Sequence, residues 1–290
     1  MADCVRSKKS WEVPNAVLPF YLITDTNIVP GKNTLSNWSK MASTIETERV
    51  DSTAIITIDR PDNRNAIDRE TGKQLNKSLR HLDQNDNLDI GIITGKGGVF
   101  CAGADVTEIL DGPSLQGKTD GYMGFSHLRT EKPLIAAIEG YAVGGGVELA
   151  LFCDIRVASH CAKFGFFERE FGAPLLDGGT QRLPRIIGLG RALDMILTGR
   201  EVSAQEAYDW GMIDRLVSEG EALDEALSLA HEIGRVPQDA VRADRRAVYD
   251  GLGTPVDDGL AMESWNGLHA LESLNEHPSS REQSEPQNRG

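Results

Sequence analysis

The stretch "EGYAVGGGVELALF", Glu139 to Phe152, puts three consecutive glycines at the start of an apolar helical pattern and an acid three residues after Gly145. A tight strand-to-helix turn needs one glycine with freedom at positive φ. Three in a row expose bare N–H groups where something outside the chain has to come into contact. The first turn of a helix offers unpaired donors, reinforced by the positive end of the helix macrodipole, so an oxygen gaining negative charge is the natural guest. A second glycine-rich loop, "GGVFCAGADVTEI", holds Gly97, Gly98 and Gly103 after a strand and before a short helix expected to begin near Asp105. Two such loops meeting over one oxygen make an oxyanion hole. Glu148 lies beside it. As an acid inside an apolar segment it is costly unless paired or used, so a reactive role is preferred over simple complementation of the helix N-terminus.

The elements that must position these residues alternate. "STAIITIDRP" and "LDIGIITGKGG" read as strands, and "IDRETGKQLNKSLRHLDQND" places Ile67, Leu75, Leu79 and Leu82 on one helical stripe. "KPLIAAIEGYAV" reads as a further strand, "GVELALFCD" as a short buried helix and "IRVASH" as a strand. Strands alternating with helices predict an α/β core with mostly parallel pairing. After Asp177 the pattern turns helical, through "GGTQRLPRIIG", "GRALDMILTG", "SAQEAYDWG" and "EALDEALSLAHEIG", and Ala261, Trp265 and Leu268 mark one last helix.

Composition narrows the function. With 30 basic against 44 acidic residues in 290 the net charge is −14, which disfavours nucleic acid and anionic membrane surfaces as partners. No apolar run approaches the about 20 residues of a membrane span. The four cysteines, Cys4, Cys101, Cys153 and Cys161, show no metal-ligand or disulfide-framework spacing, so reduced thiols and no metal site are expected. "GIITGKG" is one residue short of a phosphate-binding P-loop and has Gly97 where Ser or Thr belongs, "GKGGVF" lacks the third glycine of a dinucleotide fingerprint, and "GFSHL" is not a serine-hydrolase elbow.

The segments "ITGKGGVFCAGADVTEI", "KPLIAAIEGYAVGGGVELALFCDIRVAS", "AKFGFFE", "GGTQRLPRIIG" and "LTGREVSAQEAYDWGMIDRLV", in this order, resemble the enoyl-CoA hydratase/isomerase (crotonase) family from about Ser52 to about Val217. The resemblance implies a crotonase-like spiral of ββα units with a helical C-terminal region, assembled as a homotrimer or a dimer of trimers. It implies a coenzyme A thioester as ligand, with coenzyme A part of the substrate and no separate cofactor. Carried over by position, the oxyanion-hole donors are the N–H groups of Ala104 and Gly145, and the catalytic acids are Glu148 and Glu168. Ala66, Ala102, Asp105, Val106, Thr107 and Gly144 would line the substrate. Glu168 follows a short strand whose Phe164, Phe166 and Phe167 supply apolar walls. Glu170 would share its face if that strand continued, and ion pairing of Glu168 with Arg169 or Arg182 is the alternative role. The implied reaction adds water across the 2,3 double bond of an enoyl-CoA, with Glu148 activating water and Glu168 delivering a proton.

Several positions depart from the family pattern. Phe167 precedes the acid where many hydratases have proline, and Asp177, before the Gly178-Gly179 pair, is a possible third acid. Thr107 stands where some relatives have a lysine on coenzyme A phosphates, which leaves Arg64 or a basic residue of the terminal helices for that contact. Alternatives are therefore an isomerase or another acyl-CoA lyase, decarboxylase or hydrolase, and, in a different class, a non-catalytic relative that binds coenzyme A or RNA. The expected organisation is an N-terminal extension over 1–45, a core over 46–235, a C-terminal helical region over 236–275 and a polar tail over 276–290. The extension carries Asp3, Glu12 and Asp25 among its lysines, unlike a mitochondrial presequence, so the expected location is cytoplasm or mitochondrial matrix.

Overall fold

The computed structural model of the protein describes residues 43–105 and 121–276. Most of the N-terminal extension, the polar tail from 277 onward, Val106, Thr107 and the helix expected after Asp105 lie outside the described residues.

Among the described residues nine strands run in chain order: β1 Ile45–Val50, β2 Thr53–Ile58, β3 Ile90–Gly95, β4 Leu134–Ile138, β5 Tyr141–Val143, β6 Ile155–Ser159, β7 Lys163–Gly165, β8 Val202–Ser203 and β9 Arg215–Val217. The larger sheet has the order β1-β2-β3-β4-β6-β9. β1 pairs antiparallel with β2, and every later pair in this sheet is parallel. Burial matches that topology. β1 buries only Ile45, as an edge strand does, whereas β4 is buried at all five positions, because a parallel strand is covered on both faces.

The period-two alternation along the strands feeds two cores. Ile56, Ile58, Ile93, Leu134, Ala136 and Ile138 face the larger core, which takes in Leu75, Leu79 and Leu82 of helix α1, Arg69–Gln84. Their neighbours Ile90, Ile92, Ile135 and Ala137 point the other way, onto Ala222, Ala226, Leu229 and Ala230 of a later helix. Asp68 caps α1 by accepting from Thr71 N–H at 2.8 Å, and the buried Lys132 closes its other end with Nζ bonds of 2.8 Å to the Leu82 and Asn85 carbonyls.

The smaller sheet, β5-β7-β8, is parallel between β5 and β7 and antiparallel between β7 and β8. Helix α2, Gly145–Phe152, leaves β5 through Gly144. Then come α3 Gly179–Ile187, α4 Leu189–Thr198, α5 Ala204–Asp209, α6 Ala222–Gly234, α7 Gln238–Gly251 and α8 Val256–Glu276. α8 packs along α7. It keeps Val256, Leu260, Trp265, Leu268 and Leu271 exposed, as α4 does Leu189, Leu193 and Leu197. No helix among the described residues is long and apolar enough to cross a membrane.

Candidate active site

The two glycine loops predicted to converge do converge. The 60–67 segment and the 101–105 segment are stitched by backbone bonds from Ala102 N–H to Arg64 O, Ile67 N–H to Gly103 O and Asp105 N–H to Ile67 O, all between 2.8 and 3.0 Å. In this parallel bridge the residues on either side of Ala104 do the pairing, so the Ala104 N–H is turned to the opposite side. A bridge from Cys101 to Ala142 then joins the same segment to β5. Val143 N–H donates to Cys101 O and Gly144 N–H to Gly165 O, and the next amide, Gly145, is the first of α2, with no carbonyl behind it. Neither Ala104 N–H nor Gly145 N–H donates a backbone hydrogen bond among the described residues.

Glycine is required at the contact between the loops. Gly103 has φ 88°, and a Cβ there would lie 2.8 Å from Gly145 N and 2.9 Å from Val143 O. A Cβ on Gly145 would lie 3.4 Å from Ala104 N, so the two free amides share one small volume. Gly144, at φ 55° and ψ −125°, makes the turn into the helix. A Cβ on it would stand 3.0 Å from Glu168 Oε2, which puts that carboxylate directly over the glycine turn.

Glu148, one turn into α2, is 3% exposed. Its Oε1 accepts from Asp177 N–H at 3.0 Å and from Gly179 N–H at 2.8 Å, a clamp made by the loop leading into α3. Burial, helped by the nearby charges of Asp177 and Glu168, pushes its pKa up to about 7, with the two N–H donors opposing. Glu168 is reached differently. The strand expected before it ends at Gly165, short of Phe166 and Phe167, and Glu168 sits in a 3-10 turn, Phe167–Phe171. Glu170 is exposed and not on a shared strand face, because the chain coils once β7 has lost its ladder partners. Among the described residues both carboxylate oxygens of Glu168 are buried without a hydrogen bond from another residue, and Arg169 Nη2 lies 3.9 Å from Oε1. Burial raises its pKa to about 7 as well.

Asp177 is buried beside Glu148, and its Oδ1 accepts from Met123 N–H at 3.0 Å. That bond anchors a segment with no chemical signal in the sequence. Met123, between Gly121 at φ 86° and Gly124 at φ 85°, lays its thioether against Gly145, where a Cβ would collide with Sδ. It is therefore a wall of the volume that the two free amides share. Asn65, fully buried, is a second residue that the sequence did not single out. Its Oδ1 accepts from Arg60 N–H, and its Nδ2 donates to the Lys96 and Val99 carbonyls, which locks the 60–67 segment to the loop before Ala104. Arg60 reaches the Ala66 carbonyl and pairs with Asp68 at 2.8 Å and Asp105 at 3.4 Å, so two expected substrate-lining residues, Ala66 and Asp105, are tied by one guanidinium. Arg64 carries φ 52° and contributes its carbonyl to Ala102. Among the described residues no group of three His, Cys, Asp or Glu is arranged to hold a metal ion.

The site thus brings the Gly145 amide at a helix N-terminus, the Ala104 amide from the facing loop and two carboxyl groups raised toward neutrality to one place. Such a set can stabilise an enolate-like oxygen and move two protons at adjacent carbons.

Comparison with known proteins points the same way. The profile of the enoyl-CoA hydratase/isomerase family matches residues 48–277. The chain is 35% identical over 222 residues to the short-chain-enoyl-CoA hydratase of Clostridium acetobutylicum, covering 75% of this chain and 85% of that protein. It is 34% identical over 222 residues to the crotonyl-CoA hydratase of Syntrophomonas wolfei, with the same coverage of 75% and 85%. In three dimensions it resembles the crystal structure of the enoyl-CoA hydratase EchA1 from Mycobacterium marinum, with a TM-score of 0.75 at 36% identity over 80% of this chain and 92% of that one. The crotonase fold expected from the sequence is the fold observed, and the chain belongs to the enoyl-CoA hydratase/isomerase family.

Proposed function

We propose that this chain is an enoyl-CoA hydratase, a lyase that adds water across the 2,3 double bond of an enoyl-CoA thioester. The thioester oxygen sits between Ala104 N–H and Gly145 N–H, at the positive end of α2, where charge builds up as Cβ is attacked. Glu148 takes a proton from water as the water oxygen bonds to Cβ. The electrons of the double bond move onto the thioester oxygen, and Glu168 gives its proton to Cα as the carbonyl re-forms. Proton exchange between the two acids and solvent resets the pair, so substrate plus water equals product.

The single observation that carries this reading is the unequal treatment of two acids facing one pair of free amides. Glu148 receives two N–H bonds from the 177–179 loop, which favour its ionised form, whereas the Glu168 oxygens accept none from another of the described residues and have only their own backbone N–H and the more distant Arg169 to favour the charge. Burial holds both acids up near neutrality, and the two N–H bonds on Glu148 favour the arrangement with the charge on Glu148 and the proton on Glu168. That is the protonation state hydration needs, base on Glu148 and acid on Glu168. The relatives' names support the same chemistry. Ala66, Ala102, Asp105 and Gly144 are assigned to the substrate's surroundings by the same reading.

Assembly as a homotrimer belongs to this proposal and is supported by the apolar side chains left exposed along α4 and α8. Sedimentation equilibrium tests it, and a monomer at micromolar concentration would remove it. The catalytic proposal is tested by incubating the protein with crotonyl-CoA and identifying the product by mass. A gain of one water, abolished in Glu148→Ala, is expected. No water gain on any short or medium enoyl-CoA refutes the reading.

A further inference from the structure

The loop that clamps Glu148 is itself held by a half-buried cation. Arg182, on α3, donates from Nη1 to the Asp177 carbonyl and from Nη2 to the Ser126 carbonyl, both at 2.9 Å. Its guanidinium carbon lies 5.4 Å from the centre of the Phe152 ring, and it folds over Gly178, φ 104°, where a Cβ would collide with Nη1. Among the described residues Arg182 makes no ion pair, unlike its neighbours Arg156, paired with Asp214 at 2.7 Å, and Arg245, paired with Asp154 at 2.9 Å.

A half-buried cation with only carbonyl ligands has lost part of its hydration, and a nearby opposite charge offsets that loss. Burial draws the Arg182 pKa down, and the strongest opposing influence is Glu148, followed by Tyr249, Asp177 and Cys153. The acid and the cation therefore sit on opposite sides of the same short loop, Asp177 to Gly179. One side receives that loop's N–H groups and the other its carbonyl.

We propose that Arg182 is the positioning residue for Glu148: by bridging Asp177 and Ser126 it fixes both N–H donors on Glu148 Oε1, and its charge keeps that carboxylate ionised as a base. The inference rests on the hydratase reading, because only a base at Glu148 needs this service. Asp177 and Glu168 face Glu148 and disfavour its ionisation, while the attraction between Glu148 and Arg182 favours the charged form of the arginine and, reciprocally, of the acid. Without the arginine's charge only the two N–H donors oppose the two acids. The same side chain lines a cavity of about 880 Å³ bounded by Leu151, Phe152, Leu175, Arg185 and Tyr249, so a small cation has room to reach the vacated position in a truncated variant.

The test is the pH dependence of kcat/KM for crotonyl-CoA hydration from pH 5.5 to 9.5 in wild type, Arg182→Lys, Arg182→Ala and Arg182→Gln, beside a thermal melt of each. Removing the charge raises the Glu148 pKa, so in R182A and R182Q the acid limb moves up by about one pH unit, a loss about tenfold greater at pH 6 than at pH 9. R182K keeps the wild-type limb, and methylguanidinium moves the R182A limb back. A neutral variant whose activity falls by the same factor at every pH, with its limb unmoved, overturns the inference and leaves Arg182 a structural brace. Should wild type hydrate no short or medium enoyl-CoA, the hydratase reading falls. Titration of Glu148 by carboxyl ¹³C resonances in wild type and R182A then decides Arg182 by itself, and an unchanged titration overturns its role.

Discussion

Replacing Glu168 by Gln should make the protein more stable and far less active, and the stability gain should depend on pH. Burial lifts this carboxyl from 4.5 to about 7, and among the described residues neither oxygen accepts a hydrogen bond from another residue. An acid whose native pKa lies above its unfolded value contributes stability that is complete below the unfolded value and is lost as pH rises through the native one. The interval from 4.5 to about 7 corresponds to roughly 3 kcal/mol, lost between those two pH values. Glutamine has the same shape and never ionises. At pH 5, where native Glu168 is mostly neutral, variant and wild type should melt at similar temperatures. At pH 8.5 the variant should gain roughly 2 kcal/mol relative to its position at pH 5, a widening of about 5 °C in Tm for a chain of this size. Loss of the neighbouring charge also lowers the Glu148 pKa, which acts in the same direction. Scanning calorimetry at the two pH values reads the widening, and crotonyl-CoA hydration should fall about 10²–10⁴-fold. A Tm difference that is the same at both pH values, or a variant less stable at pH 8.5, refutes the claim that Glu168 is held without compensation.

Gly103→Ala should cost about 10²–10³-fold in kcat, because its Cβ must displace Gly145 N or Val143 O and so spoils one donor of the hole. Wild-type kcat in the folded variant would show that the loops do not need this approach. Met123→Ala should destabilise the chain by about 2–5 kcal/mol as a buried truncation, and raise kcat/KM for long enoyl chains relative to crotonyl-CoA by about tenfold, since the thioether walls the site. An unchanged ratio across chain lengths assigns Met123 to packing alone.

How the molecule encodes its site divides along the range of the forces involved. The strands, α1 and the two glycine loops are legible because each depends on its own neighbourhood: period-two and helical spacing of apolar residues, and backbone that only glycine follows. The family pattern carried Ala104, Gly145 and Glu148 with those loops, since they lie inside the same continuous motifs. Glu168 follows β7 as the sequence suggests, but the strand does not continue to put Glu170 on its face, because a strand ends where its partners end, and the short β8 partner lies some forty residues further along. Met123, Asn65 and Arg182 gave no usable signal. A lone methionine between glycines, an asparagine in a turn and an arginine on an amphipathic helix look alike whether they face solvent or the site.

Tertiary structure alone decided the electrostatics. Nothing in the order of residues says that Glu148 receives two amides from a loop about thirty positions away while Glu168 receives none. That difference arises when parallel pairing of β5 with β7 brings Gly144 beneath the turn after Gly165, and α3 packs its N-terminus onto α2. Desolvation then raises both acids toward neutrality, and it is a property of the closed fold, since water reaches every carboxylate equally in the extended chain.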